Sequence, residues 1–183
     1  MALVLLVVLG AVAAAIRKWI VTLVVINGIS MSPTYRDGQI AIMERLSYRF
    51  RFPRRGEIVG VRVGHELYQK RIIGLPGETV AVRNGTFFVN NLQLVEPYIS
   101  GPCDWNVKEG RLGKKTFVVV GDNRSLSQQQ VVLCIVKQER IVGRFMARKC
   151  DRALVKPGGI TLPADGSNSF ALDTLYTTTG ATP

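Results

Sequence analysis

Histidine is nearly absent from this chain. Its 183 residues include one, His65, so a Ser-His-Asp triad has a single possible base and a histidine-rich metal site is excluded. Cysteine is scarce: Cys103, Cys134 and Cys150 are widely spaced and form no C-x-x-C pair. That pattern lacks the usual zinc frameworks, allows at most one internal disulfide and leaves the redox compartment open. Carboxylates are outnumbered, 13 against 24 lysines and arginines, for a formal net charge of +11. Such a surplus favours anionic partners, either nucleic acid or an anionic lipid surface. No internal repeat is visible, and only one long apolar run exists.

That run opens the chain. MALVLLVVLGAVAAAI carries no charged side chain and is followed by Arg17, Lys18 and Trp19. An apolar helix of about 15 residues spans roughly 22 Å, short of a ~30 Å hydrocarbon core. Arg17 and Lys18 can snorkel and Trp19 suits an interface, so residues 1–19 read as a membrane anchor. The rival is a cleaved signal peptide. AVAAA resembles its cleavage site, but the charged leading region is missing. Charge bias alone would hold the chain in the cytoplasm with Arg17 and Lys18, yet large domains translocate largely regardless of charge.

Beyond the anchor the pattern predicts short strands near residues 20–26, 39–43, 58–63, 67–73, 116–120, 131–136 and 140–146. The clearest piece is TVAVRNGTFFVNNLQL. Asn84-Gly85 predicts a type I′ hairpin and Asn90-Asn91 a second turn. Asn84-Gly85-Thr86 is also a glycosylation sequon, which the turn explains without glycan. The expected fold is mostly β, an antiparallel barrel or sandwich-like catalytic domain over residues 20–155 behind an N-terminal transmembrane helix. Residues 156–183, polar and rich in Gly, Thr and Pro, read as a weakly ordered tail.

NGISMSPTYRDG presents Ser30 and Ser32 on either side of Met31, on a bend stiffened by Pro33. A serine nucleophile needs a base. His65 sits beside Gly64 and reads more simply as an exposed turn residue. A lysine among apolar neighbours is the other option, because its neutral form can accept a proton. YQKRIIGLPGE sets Lys70 near Tyr68, Ile72 and Ile73.

Four segments, in order, resemble the type I signal peptidase family of membrane-anchored Ser-Lys proteases. GISMSPT matches S-M-x-P-T. PRRGEIVGVR matches R-G-D-I-V, with Glu57 where Asp is usual. QKRIIGLPGE matches K-R-x-x-G-x-P-G-D, with Glu78 for Asp. GDNRSLS matches the front of G-D-N-R-x-x-S-x-D-S-R. The mitochondrial inner-membrane proteases share these boxes. The resemblance implies Ser30 as nucleophile, Ser32 as bystander and Lys70 as general base. It implies the Ser30 amide as oxyanion donor, Ser127 orienting the lysine, and Arg71, Asp122, Asn123 and Arg124 supporting the site. Gly28 stands where some members add a serine hydroxyl. No metal or cofactor is implied.

The implied protein sits in the cytoplasmic (inner) membrane by a single span, with its catalytic domain on the extracytoplasmic side. Its partners would be membrane lipid and secretory precursors with small residues before the cut. The last box departs from the family: Gln129 and Val131 stand where an Asp and an Arg pair. A signal-peptide-binding pseudo-protease is therefore an alternative reading. SYRFRFPRR (47–55) interleaves arginines with aromatics, a pattern that fits single-stranded nucleic acid or anionic headgroups. The lipid or purely structural reading is preferred, so nucleic acid is not expected as a partner. A self-cleaving Ser-Lys repressor is disfavoured by the apolar N-terminus and the lack of a DNA-reading helix.

Overall fold

The structure, a computed structural model, describes the backbone of residues 1–126, 134–146 and 154–155. The tail expected over 156–183 lies outside the described residues. The apolar start folds as helix α1, Ala2–Ile20, about 28 Å long at 1.5 Å per residue. Among the described residues no helix is long and apolar enough to cross a membrane. The β-branched segment after it becomes β1 (Val21–Val25), followed by β2 (Ile40–Glu44) and a single helical turn, α2 (Ser47–Phe50). Then come β3 (Ile58–Val63), β4 (Glu66–Gly74), β5 (Thr79–Arg83), β6 (Thr86–Val89) and β7 (Leu92–Val95). The rest are β8 (Val107–Arg111), β9 (Thr116–Val120), β10 (Cys134–Lys137), β11 (Ile141–Phe145) and β12 (Leu154–Val155).

The described strands form two antiparallel sheets. One runs β1-β2-β11-β3-β4-β9-β10 and the other β12-β7-β6-β5-β8. Neither sheet closes on itself, so the barrel alternative gives way to two open sheets. Both asparagine turns form as two-residue hairpins. Arg83 pairs with Thr86 and Val89 with Leu92, and Asn84, Asn90 and Asn91 all adopt positive φ, as type I′ turns require. β8 was not expected. Its sequence VKEGR has no apolar alternation because it is an edge strand with mostly exposed side chains.

The alternation of β9 decides how the layers meet. Val118 and Val120 face a cluster that also contains Phe87, Val89 and Trp105 of the smaller unit, while Phe117 and Val119 face a cluster with Val59, Val61 and Ile72. Each such side chain, fully buried, contributes about 1.5–3 kcal/mol. Gly74 ends β4 where the sheets approach. A Cβ there would lie 2.8 Å from both Leu112 and Val80 side-chain carbons, so only glycine fits.

Candidate active site

Ser30 lies on the turn after β1, half-buried. Two backbone hydrogen bonds close this loop: the Ile26 amide donates to the Gln39 carbonyl and the Gly38 amide to the Ile26 carbonyl, both at 2.8 Å. Met31 is inserted into a core cluster with Ile26, Met43 and Ile58, which fixes the turn from beneath. Lys70 comes from the middle of β4. Its cross-strand partner is Val59 and, by strand alternation, it shares a face with Ile72; both apolar residues are fully buried. Lys70 itself is 3% exposed. Its Nζ lies 3.0 Å from Ser30 Oγ. Forty residues of sequence separate the two groups, and the sheet brings them into hydrogen-bond contact. His65 is an exposed turn residue between β3 and β4.

The loop after β9 braces the serine turn. The Asn123 amide donates to the Ser30 carbonyl at 3.1 Å and its side-chain amide to the Ile29 carbonyl at 3.2 Å. Ser100, bridged to Asn123, donates its hydroxyl to the Ser32 carbonyl at 3.2 Å. Asp122 sits at the root of this loop, fully buried. It accepts a forked pair from Arg71, 2.8 Å from Nε and 2.6 Å from Nη2, and a third bond from the Thr34 hydroxyl. Arg71 also donates to the Gly56 carbonyl at 2.9 Å and lies 3.8 Å from the Tyr98 ring centroid. Burial, with the Glu96 carboxylate beside it, pushes the Tyr98 hydroxyl well up, so it stays a donor to Glu96 at 3.0 Å. Arg124, 1% exposed, forks onto Glu96 and donates to the Gly121 carbonyl at 3.0 Å.

Gly28 has φ +90°, a conformation that a side chain disfavours. A serine at this position would be strained although the space around it is open. The Gly28 amide donates instead to Asp37 Oδ1 at 2.6 Å. The two glutamates that replace aspartates also act as clips. Glu78 accepts from Arg55 and from the Leu75 amide, tying the entrance of β3 to the exit of β4. Glu57 collects Tyr48, Arg51 and the Arg54 amide. Ser127, Gln129 and Val131 lie outside the described residues. Thr34, Glu96, Tyr98 and Ser100 were not singled out from sequence. Only Thr34 carried a signal, as the last letter of S-M-x-P-T.

A family model described as "Signal peptidase, peptidase S26" matches residues 1–149. A probable signal peptidase I-2 of Synechocystis is 35% identical over 144 residues, 74% of this chain and 66% of its own length. A signal peptidase I of Leptolyngbya laminosa is also 35% identical, covering 74% of this chain and 72% of its own. A crystal structure of a signal peptidase I from Enterococcus faecalis is 26% identical with a TM-score of 0.41, covering 51% of this chain and 97% of its own.

Proposed function

The chain belongs to the signal peptidase family, peptidase S26, whose members are serine peptidases that remove signal peptides, and we propose that it does so with Ser30 as nucleophile and Lys70 as general base. The observation that carries this reading is the 3.0 Å contact between Lys70 Nζ and Ser30 Oγ. Only a neutral amine has the lone pair to take the serine proton, and the near-complete burial of Lys70 keeps water from competing. As Oγ attacks the scissile carbonyl, the proton passes to Nζ and then to the leaving amine. Water, deprotonated by the same amine, then releases the acyl group. The Ser30 amide, which donates to no described group, is free to face the oxyanion. Arg71, Asp122, Asn123 and Arg124 hold the turn, and the family motif assigns Ser127 the role of orienting the lysine.

Residues 1–19 would form a single-pass anchor in the cytoplasmic membrane and residues 20–155 the extracytoplasmic peptidase domain. The substrates are secretory precursors with small residues before the cut. The test is cleavage of a precursor bearing an Ala-x-Ala site by the purified chain. Ser30→Ala and Lys70→Arg should give no product and Ser32→Ala most of it, while activity should rise with pH as the amine loses its proton. Arginine keeps its charge and cannot accept that proton. Activity retained in Lys70→Arg would overturn the dyad. The replacement of an Asp and an Arg by Gln129 and Val131 favours a second reading, a pseudo-protease that binds signal peptides uncut. A trapped acyl-enzyme on Ser30 would sink that alternative. Resistance to carbonate extraction checks the anchor, whereas a soluble mature chain starting near Ile16 would favour a cleaved leader.

A further inference from the structure

The segment between β2 and β3 is folded inside out. Its polar groups turn inward onto one carboxylate. Tyr48 Oη donates to Glu57 at 3.0 Å, Arg51 forks onto it at 3.1 and 2.6 Å, and the Arg54 amide donates at 2.9 Å. The Arg51 guanidinium lies 5.3 Å from the Tyr48 ring centroid. Tyr48 and Arg51, three apart, share the side of the helical turn that faces Glu57, and the two phenylalanines are left outside: Phe50 is 81% exposed and Phe52 65%. Arg45, Arg49 and Arg54, also exposed, surround them. A loop tied down by four hydrogen bonds is not loosely placed, so the exposure of both rings belongs to the fold.

The tip has a fixed relation to the apolar helix. The Arg45 amide donates to the Ile20 carbonyl at 2.9 Å, so the segment springs from the foot of α1. Leu3, Val4, Leu5 and Leu6 on α1 are themselves bare. An apolar helix, two bare rings and three cations at one end of the sheet fit a lipid surface with negative headgroups, where rings enter the acyl boundary and arginines meet phosphate. A nucleic acid strand would use the arginines and rings but leave the leucines uncovered. Arg45, Arg49 and Arg54 are exposed, and their side chains are not among those that hold the Ser30 turn.

We propose that Phe50 and Phe52 form a membrane-docking tip selective for anionic lipid through Arg45, Arg49 and Arg54. This rests on the reading of α1 as an anchor. The test uses the full chain reconstituted in vesicles of phosphatidylcholine, with or without phosphatidylglycerol. A photoreactive benzophenone analogue replaces Phe50, Phe52 or, as a control, exposed Lys108 of β8. Lipid adducts are expected at 50 and 52, several-fold more with phosphatidylglycerol, and none at 108. Combined Arg45→Gln, Arg49→Gln and Arg54→Gln should abolish the preference for phosphatidylglycerol and leave cleavage of a soluble peptide unchanged. The proposal is overturned if membrane-retained chain gives no lipid adduct at 50 or 52, if the two vesicle types label equally, or if an added oligonucleotide captures the label instead. Carbonate extraction of the same samples reads the anchor separately. Extracted chain would end the anchor reading, and lipid adducts at 50 and 52 would still support the tip.

Discussion

Two carboxylates, Asp122 and Glu57, each gather an arginine fork and a hydroxyl, yet they hold their loops in different ways. Asp122 and its partner Arg71 are both 0% exposed, and they fix the turn that carries Ser30. Glu57 and Arg51 retain 15% and 26% exposure, and they fix the segment that presents Phe50 and Phe52. A charge pair wholly removed from water is held by its partners alone, and losing one strands the other at high cost. A pair that water still reaches loses little when broken. The molecule therefore places an all-or-none brace beside the Ser30–Lys70 contact and a partly solvated one, less costly to break, at the docking tip.

The largest effect expected from this contrast is at Asp122. Asp122→Ala leaves the Arg71 guanidinium buried without its carboxylate and removes the acceptor of Thr34, so unfolding free energy should drop by about 3–5 kcal/mol. Cleavage should fall with it. Denaturant unfolding measures this directly. A loss under about 1 kcal/mol would put Asp122 in the same class as Glu57 and dissolve the distinction.

Asp37 comes next. It is exposed, but its carboxylate accepts the Gly28 amide at 2.6 Å, two residues before Ser30. A hydrogen bond to a charged acceptor contributes about 1.5–3 kcal/mol, and here the geometry of the serine turn should feel most of it. Asp37→Ala should lower kcat roughly tenfold, about 1.4 kcal/mol in the barrier, with KM nearly unchanged. Asp37→Asn retains an oxygen acceptor and should recover most of the rate. Equal losses in the two variants would mean that charge, not positioning, is what Asp37 supplies.

Glu57→Gln should cost only about 1 kcal/mol at neutral pH, and its signature is the pH dependence. Burial by itself would raise the Glu57 carboxyl, but the bonds from Arg51, the Arg54 amide and Tyr48 outweigh that and hold it below its ordinary value of 4.5. A carboxyl depressed on folding contributes stability that is complete above its unfolded pKa. That contribution disappears as pH falls through the folded value. The parent should therefore lose its advantage over Glu57→Gln on acidification below about pH 4.5. A difference that stays constant into acid would show that Glu57 acts through packing alone.

The same contrast explains what sequence could and could not reveal. Ser30 and Lys70 were legible together because each stands in a recognisable box and Lys70 sits in an apolar strand. The hairpins were legible because asparagine tolerates positive φ. Glu57 and Glu78 were seen as substitutions, but their bonds were not. Glu96, Tyr98 and Ser100 carry no periodic signal. They reach the site through loop contacts between segments far apart in sequence, which no local propensity encodes. The 47–55 segment read as lipid-facing or purely structural, but its helical turn was not legible, because it depends on polar side chains folding back on Glu57.

A last pair of variants separates two contributions at Tyr98. Its ring covers the Arg71 guanidinium at 3.8 Å and its hydroxyl donates to Glu96 at 3.0 Å. Tyr98→Phe removes only the hydroxyl. Glu96 keeps its fork from Arg124, so no carboxylate is stranded, and the loss should be about 0.5–1.5 kcal/mol. Tyr98→Leu also removes the aromatic face, and a desolvated cation–π contact adds about 2 kcal/mol. The difference between the two variants therefore reads the ring's hold on Arg71. In Asp122→Ala, where Arg71 has lost its carboxylate, the ring and the Gly56 carbonyl still face that cation, and the same difference should grow. A double-mutant cycle between positions 98 and 122 measures that growth. Strict additivity would mean that Tyr98 fills space beside Arg71 without sharing its charge.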